Sequence, residues 1–489
     1  MPALLRAAGK SLFEPGMKKV LLIAYYFPPI AATGAMRPLQ FCRHLSSYGW
    51  MPSVLATDTS SALPPHPEDR KLLDVVPEDL SVTRIGHPDP RGRFLKVVEY
   101  VRHLRRQRRK ADAPSETDVS TGKPVSSRSK AMLLNAAKLF TEASWEFPDL
   151  QSPWYRPATQ ALTRLSPEDR PDLIWATGRP WTGLLVGLRQ ARRRKVPFIA
   201  DFRDPWVAGQ QHETSEYRRS AKVLWKRAQR LERSVCEGAA RVILNTDELR
   251  EVFCMTYPEL SEKFVVIPNG YPEYLAERFK AVYRENGRRL QKTGTVEFSH
   301  FGTVYGGRKP LALLQAVDQL LREGKVEPAR MRLRFVGSWE VDDVTCERLA
   351  KDLEQKGVLQ REQPVSHQQC LTKMANADYL LVLQAGFSLQ IPAKIYEYIV
   401  ANRPLLVIGG KGATENLVTR NNFGLCCPDH VESLKETLMA LLSGRQIVRP
   451  PSPLDTAQFG YRELTGKLAN VFGAVAGTVG TVRLFSCSA

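Results

Sequence analysis

The stretch KKVLLIAYYFPPIAATGA, residues 18–35, reads as a strand, a turn and the opening of a helix. Its apolar run holds two tyrosines and stops at Pro28-Pro29, which suits a buried strand better than a secretory segment. The same reading repeats outward from it. Strands are expected at Lys19–Tyr25, Ser53–Ala56, Val82–Ile85, Leu173–Ala176, Phe198–Asp201, Val242–Asn245 and Phe264–Ile267, with helical patterns between them. That alternation is the signature of a parallel sheet covered by helices, so this half is one doubly wound α/β domain. A second series follows at Val296–Gly302, Leu333–Gly337, Tyr379–Leu383, Leu405–Ile408 and Gly424–Cys427. We place an N-terminal domain over 17–275, a C-terminal domain over 295–445, and a tail over 446–489 whose last helix packs back on the first domain. The polar, basic stretch Arg284–Thr295 suits a linker, and a cleft between two such domains is a common ligand site.

The 489 residues are 43% hydrophobic and 25% charged, an ordinary globular composition that fills two cores without staples. The eight cysteines are scattered, without a Cys-x-x-Cys pair or a metal-spaced cluster, so we expect reduced thiols, a cytoplasmic protein and no metal or cofactor. No segment reaches the roughly 18 uninterrupted apolar residues of a membrane span. Seventy Lys and Arg against 51 acidic residues give a net charge of +19, which draws the protein toward polyanions. Much of it lies in Arg91–Lys110, a basic amphipathic pattern that fits either an anionic membrane surface or a helix packed on its own domain. After it, Ala111–Lys130 has hardly any large apolar residue and reads as a mobile surface loop within 91–130. No recognisable nucleic-acid motif accompanies the charge, so nucleic acid is not the expected partner.

The chemistry concentrates in two places where basic residues sit at the start of a helix, against its dipole. A helix N-terminus carries roughly half a positive charge, so a cation there is costly unless an anion binds. The first is His300-Phe301-Gly302-Thr303-Val304-Tyr305-Gly306-Gly307-Arg308-Lys309-Pro310: a strand, a glycine-rich loop, two cations and a proline at the first helical position. Glycines let backbone amides approach a phosphate, and Arg308 or Lys309 would neutralise a departing diphosphate. The alternative is an exposed turn with a solvated charge pair. The second is Pro392-Ala393-Lys394-Ile395-Tyr396-Glu397-Tyr398, where Glu397 can accept both hydroxyls of a ribose while Lys394 holds phosphate. Its alternative is a plain Lys-Glu surface pair.

In the first half, Gly34 follows strand one at the sheet's C-terminal edge, where ligands bind, or belongs to an ordinary turn. Asp201-Phe202-Arg203-Asp204-Pro205-Trp206 places three charges where a strand leaves the sheet. They orient an acceptor or pair with one another, and Trp206 is a sugar platform or packing.

On these runs, together with Tyr26-Phe27-Pro28-Pro29 and Val266-Ile267-Pro268-Asn269-Gly270, the chain resembles family 4 of the retaining glycosyltransferases from Lys18 to about Val475. The resemblance implies the GT-B fold, two Rossmann-like doubly wound parallel-sheet domains facing a cleft. It also implies transfer of a sugar, with retention, from a nucleotide-sugar donor to a glycan or lipid-linked acceptor; the sequence itself, without an Asp-x-Asp run or an evident metal cluster, fits catalysis without metal. Members that build bacterial surface polysaccharides or glycolipids are the most similar, which makes the membrane's inner face a possible location. By this resemblance Lys309 is the phosphate-binding lysine and Glu397 the ribose-binding glutamate. Residue reading and resemblance together give a candidate catalytic set of Lys309, Arg203, Asp204 and Asp201, and a candidate donor site of Gly34, Gly302, Thr303, Arg308, Lys309, Lys394 and Glu397. Three positions depart from the family: Leu389 for the first glutamate of Glu-x7-Glu, Thr303 for an arginine, and Arg203 for the N-domain histidine. Rival readings are a nucleotide-sugar-binding protein without activity and a basic nucleic-acid-binding protein.

Overall fold

A computed structural model of the chain describes residues 16–94, 96, 100, 145–164, 166, 169–211, 215, 217, 220–286 and 294–477. The expected basic helix and loop over 91–130 lie outside these residues except for 91–94, 96 and 100. Among the described residues the chain divides into two compact units. The first takes those up to Ile243, Phe253–Val265 and those from Ala469; the second takes Leu244–Val252 and Val266–Leu468.

The first unit is built on β1 (Lys18–Ile23), β2 (Trp50–Thr57), β3 (Ser81–Ile85), β4 (Leu173–Gly178), β5 (Phe198–Phe202), β6 (Arg241–Leu244) and β7 (Phe264–Val266). Their order is β3-β2-β1-β4-β5-β6-β7. β1 pairs in parallel with β2 on one side and β4 on the other, Val20–Ile23 standing against Leu173–Ala176. Covered on both faces, these central strands carry continuous apolar runs instead of alternating, and all six residues of β4 are buried. Strand order reverses between β1 and β4, so the turns that follow them diverge at the C-terminal edge. α1 (Thr33–Leu45) leaves the first turn and α2 (Trp181–Arg194) the second. The long helix α3 (Lys222–Gly238) follows β5.

The second unit has β8 (Val296–Phe301), β10 (Met331–Val336), β12 (Leu359–Glu362), β13 (Tyr379–Leu383), β14 (Leu405–Ile408) and β15 (Gly424–Cys427), with a short separate pair, β9 (Val304–Tyr305) and β11 (Trp339–Glu340). The six-stranded order β12-β10-β8-β13-β14-β15 is parallel at every pair and reverses between β8 and β13. The two-residue period splits its side chains between two cores. Phe298, Leu333, Leu381 and Leu406 enter one, and Phe301, Leu380, Val382, Leu405 and Val407 the other.

The tail divides as well: 446–468 belongs to the second unit and the described residues from Ala469 to the first. There Phe472 meets Trp50 edge-on at 5.2 Å, and Lys18 Nζ donates to the Ala476 carbonyl at 2.7 Å. No described helix is long and apolar enough to cross a membrane.

Candidate functional site

In the second unit both cation-bearing runs follow the two central strands, β8 and β13, at the reversal of strand order. Phe301, the last residue of β8, donates its N–H to the Tyr398 hydroxyl at 2.7 Å, so the second run clamps the end of the first. Gly302 follows at φ 144°, a conformation side chains disfavour. Its carbonyl lies 2.3 Å from where a Cβ on Gly337 would stand, which keeps both backbones bare. Gly306–Arg308 then form one turn of 3-10 helix, and α4 (Leu311–Arg322) begins after Pro310. Pro310 is therefore the N-cap, one residue earlier in the helix frame than the sequence suggests, and Lys309 is extended backbone outside the helix.

The two cations part company. Lys309 Nζ donates to Asp343 Oδ2 at 2.5 Å, and Asp343 also caps α5 (Val344–Gln355) by accepting the Cys346 N–H at 2.9 Å. That carboxylate raises the lysine's pKa, which keeps the pair charged. Arg308 instead lies over the Phe387 ring at 4.7 Å, and its Nε is buried without a hydrogen-bond partner among the described residues. Desolvation pulls its pKa down.

After β13 the loop is shaped by Gln384, whose buried amide donates to the carbonyls of Phe387 (3.0 Å) and Gln390 (2.8 Å). Gly412, at φ 154°, lets the chain entering α7 (Ala413–Arg420) press on Ser388. The intervening α6 (Lys394–Val400) starts at Lys394, whose ammonium pairs with Glu397 Oε2 at 2.7 Å. Both are partly exposed. The Lys394 and Arg308 cations both act on the imidazole of His300, and Lys394 and Glu397 act on His367 and Cys370 beside them. One neighbourhood thus holds Gly302, Arg308, Lys394, Glu397 and His300. Thr303 is exposed on the adjoining loop, and Leu389, in the first glutamate's place, is half-buried.

In the first unit Gly34, Arg203 and Asp204 line a cavity of 640 Å³ at the other reversal of strand order. A Cβ on Gly34 would stand 2.6 Å from Arg203 Nη1, so the glycine makes room for the guanidinium. Arg203 Nε donates to the Gly178 carbonyl at 3.1 Å, and burial lowers its pKa against the pull of Asp204 and Asp201. Asp149, also in the lining, accepts the Thr182 N–H (2.9 Å) and hydroxyl (2.6 Å) at the N-terminus of α2. Burial nonetheless raises its pKa.

One expectation is corrected, and one open alternative is decided. Asp201 is fully buried and held by Arg37 of α1 through two 3.1 Å bonds, so it fixes helix to sheet and is not part of the cavity lining. Trp206 is packing: it is buried, stacked on Trp181 at 5.0 Å, and donates its indole N–H to the Tyr217 hydroxyl at 2.8 Å.

Residues 122–270 match the family described as Glycosyl transferase 4-like domain. This segment contains the cavity lining from Glu146 to Leu224. No curated protein matches the chain. Among solved structures it is similar to a sucrose-phosphate synthase from Thermosynechococcus elongatus, at 13% identity and TM-score 0.59, over 94% of this chain and 99% of that one. It is similar to HepE of Anabaena in complex with UDP, at 13% identity and TM-score 0.55, over 94% and 100%. It is also similar to WaaG, a glycosyltransferase involved in lipopolysaccharide biosynthesis, at 15% identity and TM-score 0.51, over 94% and 97%. At these identities the likeness is one of fold: two Rossmann-like parallel-sheet units of the GT-B type.

The sequence reading passed over four residues of these sites. His300 and Tyr398 stood inside the quoted runs, and a histidine near the end of a strand, two residues before a glycine-rich loop, was a usable signal. Gln384 is the polar residue that ends the apolar run of β13. Asp149 lies in an irregular stretch where periodicity says nothing.

Proposed function

We propose that the protein is a glycosyltransferase whose second unit holds a nucleotide-sugar donor and whose first unit takes a glycan or lipid-linked acceptor in the cavity beside Arg203 and Asp204. The observation that carries this reading is the convergence of Arg308, Lys394 and Glu397 around Gly302, where the strand order reverses. Such a crevice is where open parallel sheets bind nucleotides. Two cations against one carboxylate leave an excess positive charge for a diphosphate, and Arg308, with its Nε unsatisfied, gains most from an anion. Glu397 has a second oxygen for the ribose hydroxyls. Lys309 is spent on Asp343, so in this reading Arg308 takes the phosphate role that the family resemblance gives to the lysine.

Departure of the nucleoside diphosphate is then driven by preorganised positive charge, worth more in a partly desolvated site than in water. Arg203 and Asp204 orient the acceptor hydroxyl. Retention at the anomeric carbon, independence from metal, and work on surface polysaccharide or glycolipid at the inner face of a membrane belong to the same proposal. The matched family segment and the neighbour named for lipopolysaccharide biosynthesis support it.

The test is incubation of purified full-length protein with radiolabelled UDP-, GDP- and ADP-sugars and a membrane lipid extract. We expect label in the lipid or glycan fraction, reduced at least tenfold by Glu397→Ala. Nucleotide-sugar binding with neither transfer nor donor hydrolysis would mark a binding protein instead.

A further inference from the structure

Among the groups around Arg308 and Lys394, the imidazole that both cations act on has no part in the reading above. His300 is the fifth residue of β8, and its ring lies at 5.8 Å from Phe335. Its Nδ1 is 3.1 Å from the Leu381 carbonyl oxygen. A carbonyl only accepts, so Nδ1 carries the proton and donates, which fixes both tautomer and ring orientation. The other nitrogen, Nε2, has no hydrogen-bond partner among the described residues. It stands 3.7 Å from the Cβ position of Gly302, along the exposed backbone of the loop.

We infer that His300 is a specificity-determining residue for the donor, its Nε2 accepting a hydrogen bond from an O–H or N–H of the nucleotide sugar. This rests on the proposed function and goes beyond it. The neighbouring cations Arg308 and Lys394 offer only donors, which a diphosphate satisfies with its oxygens. A bare acceptor among them selects for a ligand that also brings a hydrogen-bond donor, and the nucleoside and the sugar both do. Inorganic diphosphate brings neither, and the one proton it still carries near neutral pH is lost between two cations. Gly302 is what leaves the approach to Nε2 open. Burial first, and then the two cations, push the His300 pKa down to about 4, so the ring remains neutral at physiological pH. A histidine meant to bind phosphate would be kept charged.

Two variants separate this role from packing. His300→Asn keeps an amide N–H near Nδ1 for the Leu381 carbonyl and removes the outer acceptor. His300→Gln places a polar atom near Nε2. Calorimetric titration of the full chain with UDP-glucose, UDP and inorganic diphosphate reads the result. We expect Asn to weaken UDP-glucose binding roughly tenfold, the worth of one neutral hydrogen bond. Gln should recover part of the loss, and diphosphate binding should not change. A loss shared by UDP assigns the contact to the nucleoside, and a loss confined to UDP-glucose assigns it to the sugar. Unchanged nucleotide affinity in His300→Asn, or an equal loss for diphosphate, overturns the inference. If wild-type protein binds none of UDP-, GDP- and ADP-glucose, the donor-site reading fails first and takes the inference with it.

Discussion

Replacing Asp201 by Asn asks whether this aspartate is scaffold or catalyst. Asp201 and Arg37 are 0% and 3% exposed and share two parallel contacts of 3.1 Å, with the guanidinium also 4.9 Å from the Phe41 ring. The isosteric amide removes the charge and turns one acceptor into a donor, leaving Arg37 a buried cation without its carboxylate. Breaking a buried pair from one side costs about 3–5 kcal/mol. At about 2–4 °C per kcal/mol for a unit of this size, the melting temperature should fall by roughly 10 °C. Every tryptophan but Trp339 lies in the first unit, so fluorescence follows its unfolding selectively. The double variant Arg37→Met/Asp201→Val, with no charge left to strand, should regain most of the loss. The reasoning is refuted if Asp201→Asn melts within a degree or two of wild type yet has lost transfer, for then the aspartate acts on substrate.

Other outcomes follow from the same geometry. Arg308→Ala should weaken nucleotide binding more than Lys309→Ala, because Lys309 is held by Asp343; a larger effect at Lys309 would restore the assignment the family resemblance suggests. Gly412→Ala puts a Cβ 2.5–2.9 Å from the Ser388 backbone at φ 154°, and should weaken nucleotide binding about tenfold while leaving tryptophan-detected melting unchanged. Glu232, fully buried, accepts the N–H groups of Val207 and Ala208, and desolvation raises its pKa to about 7. Because the folded value lies above the unfolded one, its contribution is complete below about pH 4.5 and is lost as pH rises through 7. Tryptophan-detected stability should therefore fall by about 3 kcal/mol across that window, and Glu232→Gln should flatten the slope.

Much of the fold could be read from the chain because parallel strands buried on both faces leave long apolar runs between helical ones. The runs from Lys19 to Phe264 and from Val296 to Cys427 each coincide with a strand of the two large sheets. The strand that escaped notice, Leu359–Glu362, is an edge: Arg361 pairs with Glu347 and Glu354, and Glu362 with Arg334 and Lys373, so its sequence looks like surface. At the proposed donor site, glycine and charge at helix starts pointed to two loops that the fold brings together. They could not say which cation keeps a carboxylate partner, since Arg308 and Lys309 are adjacent and only Asp343, 34 residues on from Lys309, separates them. Asp201 was misread for a similar reason, its partner Arg37 being 164 residues away.

A crystal structure of the full chain with a bound nucleoside diphosphate tests the donor site most directly. The diphosphate should lie within hydrogen-bond distance of Arg308 and Lys394 beside Gly302, with the ribose hydroxyls on Glu397. A nucleotide seated elsewhere, with the Lys394–Glu397 pair and Arg308 untouched, would contradict it.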